Sequence, residues 1–84
     1  MKTTSLQEFY LNRIRKENIT TTFFLVNGYQ IKGQLKAFDS FSLMIESDGK
    51  QQMVYKHAIS TIMPLRPVDL SALETERLQE SEKI

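Results

Sequence analysis

Eighty-four residues with no cysteine, no tryptophan and one histidine allow a single domain and exclude disulfides and thiolate metal sites. One histidine without a cluster of carboxylates does not build a zinc centre, and no apolar run approaches the roughly 18 residues of a membrane span. The net charge of +1 hides an asymmetry: residues 1–66 hold nine Lys/Arg against five Asp/Glu, a net +4, and residues 67–84 hold two against five, a net −3.

A basic body with an acidic tail suits a polyanion partner and a segment that competes with it, although a small imbalance also arises by chance. A core this small needs support, and with metals and disulfides gone, oligomerisation is what remains. No signal-peptide pattern opens the chain, so a soluble cytoplasmic protein is expected.

The first element is a helix in "SLQEFYLNRIRKEN". Ser5 caps it and Glu8, three residues on, completes a capping box. Leu6, Tyr10 and Ile14 recur at helical spacing, with Phe9 and Leu11 beside them. Arg13, Arg15 and Lys16 gather near its C-terminus, where they complement the helix dipole or form a basic rim. Asn18 is placed to end the helix in a left-handed conformation.

From Thr20 the period changes to that of strands. "TTTFFLVN" is β-branched and aromatic, and Asn27-Gly28 marks a tight turn. "YQIKGQLKAFD" alternates, with Tyr29, Ile31, Gly33, Leu35 and Ala37 on one face and Gln30, Lys32, Gln34 and Lys36 on the other. Gly33 within this strand predicts a sharp bend or a bulge. "FSLMIES", a turn at "SDGK", "QQMVY" and "AISTIM" follow, with Pro64 and Pro67 closing the set. One helix and five short strands predict a mainly β fold, a strongly bent antiparallel sheet or open barrel. Pairing its edge strands between identical subunits would manage both the edges and the thin core. The tail "VDLSALETERLQESEKI" offers a weak helix from Ser71 with a sparse apolar face of Leu70, Leu73 and Leu78. Most of it is expected to be disordered or loosely docked.

Catalysis finds no support in the spacing. His57 lacks a nucleophile and an orienting carboxylate, and no hydrolase elbow, P-loop or dinucleotide loop occurs, so the protein is not read as an enzyme. Single-stranded nucleic acid is a better match, because such sites combine flat side chains with cations and amides. Two supplies exist: Phe41, Tyr55, Lys56 and His57 with Gln7, and Phe24, Tyr29, Gln30, Lys32 and Gln52 around the Asn-Gly turn. Each aromatic alone is more readily a core residue; the interleaved cations and amides raise the binding reading.

"FFLVNGYQIKGQLKAFDSFSLMIES" followed by "QQMVYKHAIST" resembles the Hfq family of Sm-like bacterial RNA chaperones, over about Leu6 to Pro64. The "NG…G…FD.F" pattern is similar to the first Sm motif, and "YKHAIS" to the second. The resemblance implies a homohexameric ring, with a helix on each five-stranded sheet and the last two strands of neighbours paired. Residues 1–66 would form the Sm-like RNA-binding domain and 67–84 an acidic, flexible tail.

On the helix-bearing proximal face, the resemblance implies a site for U-rich 3′ ends of small regulatory RNAs. There Phe41 would stack on uracil, Lys56 and Gln7 would read the base edge, His57 would contact the sugar–phosphate, and Tyr55 would support the pocket. Ser40 stands where enteric members carry glutamine. On the distal face, Phe24, Gly28, Tyr29, Gln30, Ile31, Lys32, Gln52 and Thr61 would take A-rich messages. "NGYQ" is similar to the Gram-positive "NGFQ", which favours a two-nucleotide adenine–linker repeat. A rim of Asn12, Arg13, Arg15 and Lys16 would bind RNA but anneal strands less efficiently than an arginine-rich rim, since Asn18 occupies an often basic position. Glu74, Glu76, Glu80 and Glu82 would compete with RNA there, so that deleting 68–84 tightens rim binding and slows release.

The expected function is an RNA chaperone that brings small RNAs and messages together, with no cofactor, no metal and no membrane partner. A ring that only protects or presents RNA 3′ ends, and a protein-assembly scaffold, are the alternatives. High salt separates the scaffold, because phosphate contacts weaken steeply with ionic strength.

Overall fold

A computed structural model describes residues 5–73 of the chain. Its elements in order are α1 (Leu6–Lys16), β1 (Thr20–Leu25), β2 (Gln30–Phe38), β3 (Ser42–Ser47), β4 (Lys50–Tyr55), a single 3-10 turn (Lys56–Ala58) and β5 (Ile59–Pro64). The helix begins as its sequence requires: the Glu8 amide donates to the Ser5 hydroxyl at 3.0 Å, satisfying one of the free donors of the first turn. It ends at Asn18, whose φ of 55° lies in the left-handed region that asparagine tolerates. Leu11 and Ile14 are buried and face the sheet, while Arg15 and Lys16 remain exposed.

The five strands form one bent antiparallel sheet in the order β4-β3-β2-β1-β5. Two of its turns use residues with positive φ, Gly28 (96°) after Asn27 and the Asp48-Gly49 pair (53° and 77°), the conformation tight hairpins need. The core is a single cluster of Leu11, Ile14, Phe23, Leu35, Leu43, Ile45 and Val54, so α1 closes one face of the sheet over strands β1 to β4. Burying each of these side chains stabilises the fold by about 1.5–3 kcal/mol, which a domain this size cannot spare.

Gly33 acts differently from the expected bulge. It is paired in register with Thr21, and a Cβ at this position would run into the backbone carbonyl oxygen of Glu46 on β3. The glycine therefore permits close approach of β2 and β3. The register shift lies further on, between Leu35 and Ala37, and leaves Lys36 as the extra residue. This shift also explains why Ala37 is exposed although the alternation from Leu35 predicts a buried position. Lys36 is turned to reach Glu46, Nζ to Oε1 at 3.5 Å.

Of the segment after β5, Val68 packs against the core cluster and Leu73 is 4% exposed. Residues 74–84, with the four glutamates expected to compete for the rim, lie outside the described residues.

Candidate nucleic-acid interface

Two turns converge beside the N-terminal half of α1. The β2–β3 turn is built on Asp39, whose Oδ1 accepts from the Phe41 amide at 2.9 Å, the Ser42 amide at 2.8 Å and the Ser42 hydroxyl at 3.0 Å. These bonds favour the charged form and hold the Asp39 carboxyl below its usual range: the Phe41 amide contributes most, then the Ser42 groups, with the Lys56 charge adding a little. The turn projects Phe41 into solvent at 77% exposure, an orientation that packing alone does not produce.

The 3-10 turn after β4 is tied to the same place. The Lys56 amide donates to the Phe41 carbonyl at 2.7 Å. The Lys56 ammonium donates to Gln7 Oε1 at 2.9 Å and stands 5.6 Å from the centroid of the Phe38 ring. Tyr55 and His57 flank it, both exposed, with their rings nearly parallel at 8° and 5.9 Å between centroids. Gln7, Phe41, Tyr55, Lys56 and His57 thus come together from residues up to fifty positions apart, with exposed Ser40 in the same turn. A cleft of about 230 Å³ runs from Gln7 and Lys56 down to Leu11, Leu43 and the Ile59–Ile62 stretch of β5. Sequence reasoning did not place Asp39 or Phe38 in the site, although both stand in the "FD.F" motif. The Asp-Ser-Phe-Ser order is a turn signal for the first, whereas nothing local marks Phe38 as the ring beneath Lys56.

The second supply is less unified within one chain. Phe24 pairs with Gln30 on one side and Thr61 on the other, and Thr22 with Lys32, so Phe24, Gln30, Lys32 and Thr61 share the sheet face turned away from the core. Tyr29 follows Gly28 in the turn above them and is 72% exposed, its amide donating to Asn27 Oδ1 at 3.0 Å. Ile31 pairs with buried Phe23 and packs against the core. Gln52 sits on β4, with β3 and β2 between it and β1. Of the rim residues, Asn12, Arg15 and Lys16 are exposed, and Arg15 Nη2 donates to Asn12 Oδ1 at 2.9 Å. Arg13 alone is half-buried, over the Phe9 ring at 5.3 Å and paired with Glu17 at 3.3 Å.

A capping helix on a five-stranded bent antiparallel sheet, with an exposed aromatic and a lysine on adjoining turns, defines a small Sm-like protein. Two solved structures share this arrangement: a crystal structure described as the pleiotropic translational regulator Hfq (TM-score 0.69, 36% identity, 70% of this chain and 98% of that one), and an Hfq protein from Anabaena (TM-score 0.63, 28% identity, 71% and 98%). The family model for Hfq protein matches residues 6–69, and the chain belongs to that family. It is 61% identical to the RNA-binding protein Hfq of Desulforamulus reducens over 72 residues, 86% of this chain and 90% of that protein. To the RNA-binding protein Hfq of Desulfitobacterium hafniense it is 55% identical over 76 residues, 90% and 92%.

Proposed function

We propose that the protein is an RNA chaperone that holds U-rich 3′ ends of small RNAs on the α1-bearing face and A-rich RNA on the opposite face. The observation that carries this reading is the Lys56–Gln7 bond beside the exposed rings of Phe41, Tyr55 and His57. A flat ring offers a stacking surface, the lysine and amide present donors to a base edge, and His57 adds a donor for sugar–phosphate.

Ring assembly is part of the same reading. Edge strands β4 and β5 expose Met53 (59%) and Met63 (55%), apolar area that pairing with a neighbour's edge would cover. Six copies are proposed from family membership. Joining β4 of one protomer to β5 of the next would bring Gln52 toward Thr61 and Phe24 and complete the distal set. Tyr29, exposed beside Gln30, favours a two-nucleotide adenine–linker repeat there. Residues 67–84 as a regulatory tail, and a cytoplasmic location, belong to this proposal; no described helix is long and apolar enough to cross a membrane.

The test is fluorescence anisotropy with labelled U-rich and A-rich oligonucleotides, each complex then challenged with the other RNA unlabelled. Both are expected to bind without displacing each other. Mutual displacement would mean one general single-strand site, and binding of neither at moderate salt would leave a protein-assembly scaffold as the better reading.

A further inference from the structure

Arg13 differs from the other rim cations in being half-buried, over the Phe9 ring and paired with Glu17. Phe9, Arg13 and Glu17 are spaced by four residues and so form one stripe along the flank of α1. The segment that leaves β5 meets this stripe in reverse order. Arg66 Nη1 lies 3.1 Å from Glu17 Oε1, at the C-terminal end of the helix. One turn back, the Asp69 carboxyl is held below its usual range chiefly by the Ser71 hydroxyl and then its amide, with the Arg13 charge adding a little. One turn further, Phe9 is 6% exposed although it lies outside the main core cluster, and Leu73 is 4% exposed and also outside it. The Asp69 cap, accepting from the Ser71 amide at 3.0 Å and its hydroxyl at 2.6 Å, turns the chain into the short helical stretch that carries Leu73. Val68 fixes the middle of the segment to the core.

We propose that residues 66–73 are a latch laid antiparallel on the Phe9–Arg13–Glu17 stripe, with Leu73 seated against Phe9, which withholds Arg13 and the Phe9 ring from RNA. When the latch lifts, the Arg13 guanidinium and an aromatic ring join the open rim of Asn12, Arg15 and Lys16 as a contact surface for single-stranded RNA. Apolar docking does the work, so the latch acts independently of the charge carried by residues 74–84. The RNA part rests on the function proposed above; the docking part does not.

The experiment uses the full chain with Leu73→Asn, a neutral change, and with Asp69→Asn as a second variant that removes no buried volume. Amide hydrogen exchange over residues 6–17 reads docking directly: exchange rises in both variants, more in Leu73→Asn, while circular dichroism and assembly size stay as in the parent. Unchanged exchange in both overturns the latch. Anisotropy with a labelled hairpin RNA lacking U-rich ends and A-runs reads the consequence. Affinity rises about fivefold in Leu73→Asn at low salt, and Arg13→Ala in that background cancels the gain. A gain that survives Arg13→Ala, or no gain while a U-rich oligonucleotide still binds, overturns the RNA role of the latch. Failure of the parent protein to bind U-rich RNA counts against the chaperone reading and leaves the exchange result standing.

Discussion

Asp39 shows how one residue sets the geometry of a site it never has to touch. Three donors from Phe41 and Ser42 converge on one carboxylate oxygen, and the result is an aromatic ring held in solvent beside Lys56. Asp39→Ala releases the turn, and affinity for a U-rich oligonucleotide is expected to fall about tenfold, the effect of one or two charge-assisted hydrogen bonds, with A-rich binding unchanged. Because the folded-state pKa of Asp39 lies below the usual 3.8, its contribution is complete above that value and is lost as the pH falls through the depressed pKa. Amide protection at Phe41 and Ser42 is therefore expected to be flat across the neutral range and to collapse only in strong acid. Loss of protection already near neutrality would show that another group controls the turn.

At the scale of elements, the close contacts are between backbones. Gly33 allows β3 to approach β2 so closely that a methyl group would meet the Glu46 carbonyl. Gly33→Ala is expected to cost at least about 2 kcal/mol, read as a lower urea midpoint, since neither strand can give way without breaking its ladder. The end of α1 makes a subtler case. Asn18 sits at φ 55°, so Asn18→Arg adds a rim cation but places a longer side chain in a left-handed conformation, a cost of about 1 kcal/mol. The variant is expected to unfold at lower temperature and, while folded, to anneal complementary RNAs faster than the parent. Unchanged annealing would remove the link between rim charge and annealing.

For the whole molecule, edges decide the behaviour. One chain leaves β4 and β5 unpaired at opposite ends of a five-stranded sheet, with Met53 and Met63 outward on them. Met53→Asp puts a charge on that edge, and sedimentation is expected to shift from a six-protomer species toward monomer, with U-rich and A-rich binding both weakened. Retention of a hexamer by this variant would place the contact between subunits elsewhere.

The local signals were strong wherever one residue type solves one backbone problem. The Ser5 cap, Asn18, Asn27-Gly28 and the Ser-Asp-Gly turn all stand in the structure as the sequence placed them, because caps and positive-φ turns depend on neighbours in the chain. The same is true of the helix and the five strands, which follow from apolar spacing. Which strands pair was not legible, since β5 joins β1 across an interval of more than thirty residues. Nor were the Lys36 bulge, Phe38 under Lys56, and Glu17 shared by Arg13 and Arg66. The sequence by itself determined the elements, their turns and the residue types able to meet RNA. Only the tertiary structure decided that Gln7 meets Lys56, that Arg13 is half-buried while Arg15 and Lys16 stay open, and that Ile31 packs against the core. The physical reason is that each of these depends on long-range packing, where a residue's partner is fixed by the fold and not by its neighbours in the chain.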